Sequence, residues 1–347
     1  MDNYFTYRNK SGSISFQINK KTILVLFLLI LITVAIVIVS LSIGSTIISP
    51  IVVIKNILGI GEANYSFVIN TLRLPRVILA LLVGAALGIS GVILQGIIRN
   101  PLASPDVIGV TSGASAAAVL YIAYFSGSSG IRWLPVAAIT GAAIVSLLIY
   151  LLSWKGGVTP IRLVLIGIGM AAVMGAITTF MIVISPITTT ARAYIWLTGS
   201  VYGANWRDVH SMLPWLLIFF PIALILSRTI NVKELGDSLA VGLGVRVQIY
   251  RLAFLLISVA LAGSAVAFAG GIGFVGLIAP HISRKIVGRS FGTLIPVSAL
   301  IGGIIVILAD LLGRTAFLPL DLPAGIFVSG IGAPFFIYLL YKTRNTA

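Results

Sequence analysis

The sequence predicts an all-α protein that crosses a membrane about ten times. Of its 347 residues, 59% are hydrophobic and 9% are charged, and the mean hydropathy is +1.14. Soluble domains are about 45–50% apolar and about 25% charged, so this composition excludes an ordinary soluble enzyme. One bilayer crossing needs about 20 mostly apolar residues, and the apolar content suffices for roughly ten crossings.

The crossings are read from apolar runs, the first of which is uninterrupted over 23–43. A cleaved signal peptide is disfavoured there, because its apolar core is about 7–15 residues long and ends at a small-residue cleavage site. The remaining runs lie at 77–97, 107–125, 134–153, 161–184, 212–227, 252–271, 273–287, 294–312 and 322–341. The run at 273–287 is short and contains Pro280, which allows a half-helix in place of a full crossing.

The distribution of cations predicts the orientation of the chain. The net charge is +15, but the charges are scattered between apolar runs, which favours a membrane-surface role over nucleic-acid binding. With the N-terminus inside, 16 of the 23 Lys and Arg residues fall on the inner side, as the positive-inside rule requires. We therefore expect a cytoplasmic N-terminal segment at 1–22, one transmembrane domain at 23–341 and a cytoplasmic tail at 342–347.

Residues that support catalysis are sparse. The chain has no cysteine, its two histidines His210 and His281 lack metal-ligand spacing, and the Gly-Lys pair of a P-loop is absent. We expect no enzymatic activity and no ATP binding by this chain. All eight acids are predicted in loops or near the ends of crossings; the deepest, Asp310, lies one turn from Arg314. Crossings without charges disfavour an ion-coupled transporter.

Small residues and four loop segments carry the remaining information. The glycine-rich stretches 84–88 and 270–273 predict close helix packing, with a path lining as the alternative. Arg73-Leu74-Pro75-Arg76 is either a helix start with snorkelling arginines or a docking point for an acidic partner. Residues 95–105 predict a tight inner turn. Residues 233–244 are either a solvated loop or a surface for a cytoplasmic subunit, since leucines exposed in a short loop require a groove. The fourth segment is 273–284.

Together these segments resemble the permease family of ATP-driven importers for ferric siderophores, haem and vitamin B12, the type II ABC importers. The matches are R-L-P-R at 73–76, R-N-P-L-A-x-P at 99–105, L-G-D-x-x-A-x-x-L-G at 235–244, G-F-V-G-L-x-x-P-H-I-x-R at 273–284, D-x-x-x-R at 310–314, L-P-x-G at 322–325 and G-A-P-F-F at 332–336. They run in the family's order from about 23 to 341. One departure is Asp321, where the family more often carries Glu.

The resemblance implies a subunit of a larger assembly in the bacterial plasma membrane, with both termini cytoplasmic. The partners would be a second permease subunit (a copy or a relative), two cytoplasmic ATPase subunits that hold ATP and Mg²⁺, and an extracytoplasmic binding protein. The permease itself would bind no cofactor or metal. Ferric siderophore is the expected cargo from family frequency. Haem or vitamin B12 transport, and a secondary transporter outside the family, are the alternatives.

Site residues are carried over by position from the resemblance. Arg73, Arg76 and Arg314 would dock the binding protein. The coupling loop to the ATPase would comprise Leu235, Gly236, Asp237, Leu239, Ala240, Leu243 and Gly244, whose leucines share one face if the segment is helical. The remaining motif positions are Arg99, Asn100, Pro101, Pro105, Gly273, Phe274, Gly276, Pro280, His281, Arg284, Asp310, Pro323 and Gly325.

Overall fold

The computed structural model describes residues 4–8, 15–61, 63–125 and 130–343. Lys10 and Arg344 from the cation count, and Asp2 and Glu62 from the eight acids, lie outside these ranges. An antiparallel hairpin of β1 (Tyr4–Arg8) and β2 (Ser15–Asn19) precedes the first helix. The hydropathy pattern of the N-terminal segment does not predict this hairpin.

The rest of the described chain is helical. The helices are α1 (Lys20–Ser42), α2 (Pro50–Ile57), α3 (Ala63–Ser66), α4 (Leu74–Ile98), α5 (Val110–Tyr124), α6 (Leu134–Leu152), α7 (Pro160–Ile184), α8 (Ile187–Thr198), α9 (Trp206–Glu234), α10 (Asp237–Gly242), α11 (Val247–Ala269), α12 (Val275–Val287), α13 (Phe291–Thr315) and α14 (Ala324–Thr343). A π-helical stretch, Phe67–Arg73, continues into α4, and a short 3₁₀ turn, Ile131–Trp133, leads into α6.

Each of the ten predicted apolar runs contains a helix. Eight of these helices are long and apolar enough to cross a membrane. The other two, α5 and α12, have 15 and 13 residues and are therefore about 22 Å and 20 Å long. The short α12 agrees with the half-helix reading of the run at 273–287. The all-α polytopic fold class is confirmed.

Consecutive long helices run in opposite directions, so their connections lie on two end faces of the bundle. The proximal face carries the start of α1, and the distal face carries its end. Residues 99–101, 153–159, 234–246 and 287–290 lie on the proximal face, and residues 43–73, 185–186, 199–205 and 316–323 on the distal face. These two faces hold the conspicuous polar clusters of the described chain.

Helix α4 is the core of the bundle, and glycines let its neighbours approach closely. A Cβ at Gly84 would overlap the carbonyl oxygen of Gly302 in α13, and one at Gly91 would overlap that of Gly276 in α12. Helix contact without side chains between the backbones is how membrane bundles gain van der Waals packing. The glycine-rich stretch 84–88 is therefore a packing seam, one of the two readings left open by the sequence.

Candidate functional site

Arg76 lies at the distal face between two aspartates of distant sequence. Its guanidinium is 2.8 Å from Asp310 Oδ1 and 2.7 Å from Asp321 Oδ2, and it stacks over the Tyr202 ring at 5.4 Å. The close packing of α4 on α13 brings Arg76 and Asp310 together. The Arg76 side chain is only 11% exposed, so its charge is balanced mainly within the chain. Asp321, the departure from the family pattern, therefore takes part in this cluster.

Arg73 and Arg314 converge on the end of α1. Arg73 donates hydrogen bonds to the carbonyl oxygens of Leu41 (2.6 Å) and Thr46 (2.7 Å), while Arg314 donates to those of Ser40 and Ile43, the latter at 2.7 Å. The last carbonyls of a helix lack intrahelical donors and carry partial negative charge, so two guanidiniums stabilise this helix end. Both arginines are buried.

The distal cluster of Arg73, Arg76, Arg314, Asp310 and Asp321 has a formal charge of +1. Arg314 also approaches Asp310, at 3.6 Å. The family resemblance implies that these three arginines face outward and dock a binding protein. The structure does bring them together at one face, but their donors mainly serve internal acceptors. Docking of a binding protein through them stays a prediction, and it concerns a cluster of low net charge.

On the proximal face, α10 and its flanking turns form the coupling segment, defined here as residues 235–244. Leu235, Leu239 and Leu243 are exposed to 59%, 58% and 65%, while Ala240 is fully buried. Gly236 and Gly244 bound the segment. Their φ values of +115° and +82° are strained for residues with a Cβ, so glycine permits these turns. The segment thus presents apolar side chains away from the bundle.

Asp237 anchors the coupling segment to the bundle. Its carboxylate is 2.6 Å from Arg251 of α11 and 3.5 Å from Arg99 at the end of α4. Arg251 is fully buried and also donates to the carbonyl oxygen of Val158, in the connection between α6 and α7. A charge-assisted pair is about twice as strong as a neutral hydrogen bond, so Asp237 ties three elements to the segment.

The segment after α4, residues 99–109, enters the bundle before the next helix begins. A Cβ at Gly276 would lie 2.9 Å from Pro105 Cδ, and Gly276 itself packs on Gly91, seven residues before the end of α4. At 1.5 Å per residue, Gly91 lies about 10 Å from the end of α4. Pro105 is therefore about 10 Å inside the bundle, measured along α4. A tight turn is present where the sequence predicts one, since the Ala103 N–H donates to the Asn100 carbonyl at 3.1 Å, but the chain then re-enters the bundle.

The re-entrant segment places Asp106 at the start of α12. The Phe274 N–H donates to Asp106 Oδ2 at 3.3 Å, and Phe274 adopts φ +64° as α12 begins. A carboxylate at a helix N-terminus meets unpaired N–H groups and the positive end of the helix dipole. Asp106 lies in a loop, as the sequence predicts, but that loop re-enters the bundle. Asp310 lies near the end of α13, also as predicted, although its side chain is only 2% exposed.

A polar cavity adjoins Asp106. It has a volume of about 400 Å³ and lies between α5, α7 and α8. Six hydroxyl-bearing side chains share its lining with the carboxylate, those of Thr111, Ser112, Ser115, Thr178, Thr179 and Tyr194. Sequence reasoning missed this cavity, although the spacing of Ser and Thr in runs 107–125 and 161–184 was the available signal.

Two further motif positions, His281 and Gly325, contact neighbouring helices. Pro280 lies inside α12, and His281 meets the Phe335 ring of α14 edge-on at 5.4 Å between centroids. Gly325, which follows Pro323 at the start of α14, donates its N–H to the Gly199 carbonyl at 2.9 Å. A Cβ at Gly325 would overlap the carbonyl of Thr198, so this position needs glycine for close approach to α8.

Comparison with known proteins agrees with this architecture. The FecCD transport family matches residues 21–342. The chain belongs to the FecCD transport family. A relative from Dickeya dadantii (strain 3937), the achromobactin transport system permease protein CbrC, is 51% identical over 99% of this chain and 98% of its own. The iron(3+)-hydroxamate import system permease protein FhuG of Bacillus subtilis (strain 168) is 44% identical, over 88% and 93%.

A solved structure, described as an inward-facing conformation of a metal-chelate type ABC transporter, superposes with a TM-score of 0.82. It is 34% identical and covers 91% of this chain and 98% of that one. This member of the FecCD family is therefore a multi-pass ABC permease, a subunit type that is not itself catalytic and that works in a complex with other subunits.

Proposed function

We propose that this FecCD permease forms the membrane path of an importer for a ferric siderophore. The observation that carries the proposal is the relatedness over almost the whole chain to permeases whose names specify achromobactin, iron(3+)-hydroxamate and Fe(3+)-citrate. These cargoes share one chemistry, a ferric ion enclosed by oxygen-rich chelators. Nothing in the comparisons favours haem or vitamin B12.

The two end faces suit the two external partners of such an importer. In this proposal the distal face is extracytoplasmic, and its cluster of Arg73, Arg76 and Arg314 receives a binding protein. The proximal face is cytoplasmic, along with the segments at 1–22 and 342–347. Its coupling segment inserts the exposed leucines into a groove on an ATPase, which holds ATP and Mg²⁺. Each buried leucine contributes roughly 1.5–3 kcal/mol before ordering costs.

Helices α7 and α14 leave much of their apolar surface uncovered by the described chain. A second permease subunit, a copy or a relative, would cover part of this surface. The polar cavity beside Asp106 would then line the path between the two subunits. Hydroxyl groups suit a hydrophilic chelate that must pass without being held tightly.

Uptake in a deletion strain tests the proposal. Cells lacking this gene are supplied with radiolabelled iron as single siderophores, and only the cognate siderophore should depend on the restored chain. Collapse of the proton gradient with cellular ATP maintained should leave initial uptake intact, whereas loss of the partner ATPase should abolish it. Uptake that follows the gradient and ignores the ATPase would instead indicate a secondary transporter.

A further inference from the structure

The proximal face contains a second cavity, separate from the exposed leucines of the coupling segment. It has a volume of about 320 Å³ and lies where α4, α9 and α12 end. We call it the basic cavity. Its lining residues are Gln95, Arg99, Asn100, Pro101, Glu234, Arg284 and Arg289.

The basic cavity gathers three guanidiniums around one carboxylate. Arg99 has Asp237 at 3.5 Å. Within the part of the chain that the structure describes, the ion pairs closer than 4.0 Å include neither Arg284 nor Arg289, nor the carboxylate of Glu234. Like charges that share one concave surface raise its potential and attract a counter-ion. The arrangement therefore favours an anionic occupant.

Two lining residues each carry a buried polar atom without a hydrogen-bond partner, an acceptor on Gln95 and a donor on Arg284. Gln95 is 2% exposed, and its Oε1 accepts no hydrogen bond, while its Nε2 donates to the Gly276 carbonyl at 3.4 Å. Arg284 Nη1 is buried and donates none. Buried polar groups are rarely left unpaired, because each loses its hydration without compensation. Both residues line the cavity, so a rotation of each side chain would bring these atoms to an occupant that carries acceptor oxygens and a hydroxyl donor.

We propose that the basic cavity binds a glycerophosphate group. Its phosphate oxygens accept from Arg284, Arg289 and Arg99, and a glycerol hydroxyl donates to Gln95 Oε1. This chemistry has two sources, the headgroup of phosphatidylglycerol and free glycerol phosphate. The cavity opens at the helix ends of the proposed cytoplasmic face, where basic pockets between helices meet anionic headgroups. The proposal goes beyond the transport function and does not depend on the cargo.

Lipid retention by the purified full chain tests the site. The chain is reconstituted in nanodiscs of phosphatidylcholine with or without phosphatidylglycerol, and retained lipid is counted by native mass spectrometry after detergent extraction. Lipid-induced shifts of the unfolding midpoint give a second measure. We expect phosphatidylglycerol to be retained and stabilising, and about tenfold weaker binding for Arg289→Gln and for Arg284→Gln, since each loses a charge-assisted hydrogen bond.

Arg246→Gln is the matched control, because Arg246 is an exposed arginine of the same face that lies outside this cavity. It should retain phosphatidylglycerol like the wild type. Equal losses in Arg246→Gln and Arg289→Gln would show unspecific surface attraction and overturn the proposal. Unchanged binding in both Arg284→Gln and Arg289→Gln would overturn it as well.

Soluble probes separate the two sources. Binding of glycerol 3-phosphate in lipid-free detergent, lost in Arg289→Gln, would support the same site with a metabolite as its ligand. Retention of phosphatidylglycerol that millimolar glycerol 3-phosphate does not displace would support the lipid. Inorganic phosphate, which has no glycerol hydroxyl for Gln95, should bind more weakly than glycerol 3-phosphate. If every probe is released when the ATPase joins the complex, the cavity is an ATPase contact and the proposal fails.

Discussion

At the scale of single residues, Arg76 depends on the planar shape of its guanidinium as well as on its charge. Arg76 contacts both Asp310 and Asp321 through separate edges of its guanidinium. A lysine ammonium is a point charge and does not reproduce this fork. The buried Asp310 depends on it, because a carboxylate removed from water is costly when unpaired.

Removal of that partner should destabilise the fold. We expect Arg76→Gln to cost roughly 3–5 kcal/mol, because it leaves Asp310 charged, buried and short of a partner. The purified chain should therefore unfold at a lower temperature, and the added change Asp310→Asn should recover part of the loss. Arg192→Gln, at an exposed distal arginine, is the control. An unchanged midpoint for Arg76→Gln would show that water or lipid headgroups satisfy Asp310.

Arg314 gives a second prediction at this scale. From sequence alone, charge reversal there should impair only docking and uptake. The contacts of Arg314 with the carbonyls at the end of α1 instead predict that Arg314→Glu also lowers the amount of folded protein in membranes. Quantitative immunoblotting of detergent-extractable protein measures this, with Arg192→Glu as control. Normal folded protein combined with lost binding-protein association would assign Arg314 to docking alone.

At the scale of elements, the coupling segment combines an exposed apolar surface with an ionic anchor. Leu239 belongs to the surface, and Asp237 belongs to the anchor. Because they serve different contacts, their substitutions should give different phenotypes, and the two can be separated by experiment.

Leu239→Asp should abolish both ATPase association and transport, since it places a charge where a groove expects an apolar side chain. Co-purification of the ATPase and uptake of iron chelate are the measurements. Ser238→Asp, an equally exposed neighbour on the segment, is the control and should retain both. Survival of association and transport in Leu239→Asp would make this segment an ordinary solvated loop.

Asp237→Asn should leave ATPase association largely intact but lower the transport obtained per ATP hydrolysed. The substitution removes the charge from the contact with the buried Arg251, where a hydrogen bond to a charged group is worth about 1.5–3 kcal/mol. The 3.5 Å contact with Arg99 adds little, because both side chains are exposed enough for solvent to screen it. The ratio of uptake to hydrolysis in proteoliposomes checks this, and Asp237→Glu should recover part of it. An unchanged ratio in Asp237→Asn would show that the anchor does not orient the segment.

At the scale of the whole molecule, the packing of α4 determines which polar groups meet. Its glycines bring the backbone of α4 into contact with α12 and with α13. The contact with α13 places Arg76 beside Asp310, and the contact with α12 places the start of α12 beside Asp106. The distal cluster and the internal contact of Asp106 with α12 therefore both depend on α4, a helix with few polar residues.

Gly84→Val tests that dependence, because its Cβ would overlap the Gly302 carbonyl and separate α4 from α13. We expect severe loss of folded protein, measured as the monodisperse peak in fluorescence-detected gel filtration. Gly169→Val is the matched control, since a Cβ at Gly169 in α7 meets no atom within 4 Å. Equal profiles for the two variants would show that α4 and α13 can separate without harm.

Much of this architecture follows from the sequence alone, for a physical reason. Insertion into a bilayer depends on the hydropathy of a continuous stretch, which is a local property. The helices in the ten apolar runs could therefore be predicted, with errors of up to seven residues at their ends, whereas the short helices α2, α3 and α8 could not. The family resemblance likewise rests on short contiguous motifs, such as 99–105 and 273–284. Gly236 and Gly244 of the coupling segment indicate turns, because a positive φ is a local property of the backbone that glycine permits.

Only the tertiary structure decided which distant charges are paired. Arg76 and Asp310 are 234 residues apart, and no local pattern of hydropathy relates them. The re-entry of Asp106 depends on the glycine contact between α4 and α12. The end of the short helix α8 is held by one backbone hydrogen bond, from Gly325 at the start of α14 to Gly199. Side-chain pairing within a membrane bundle is set by how helices pack. The sequence specifies that packing through small residues whose partners become visible only once the helices are assembled.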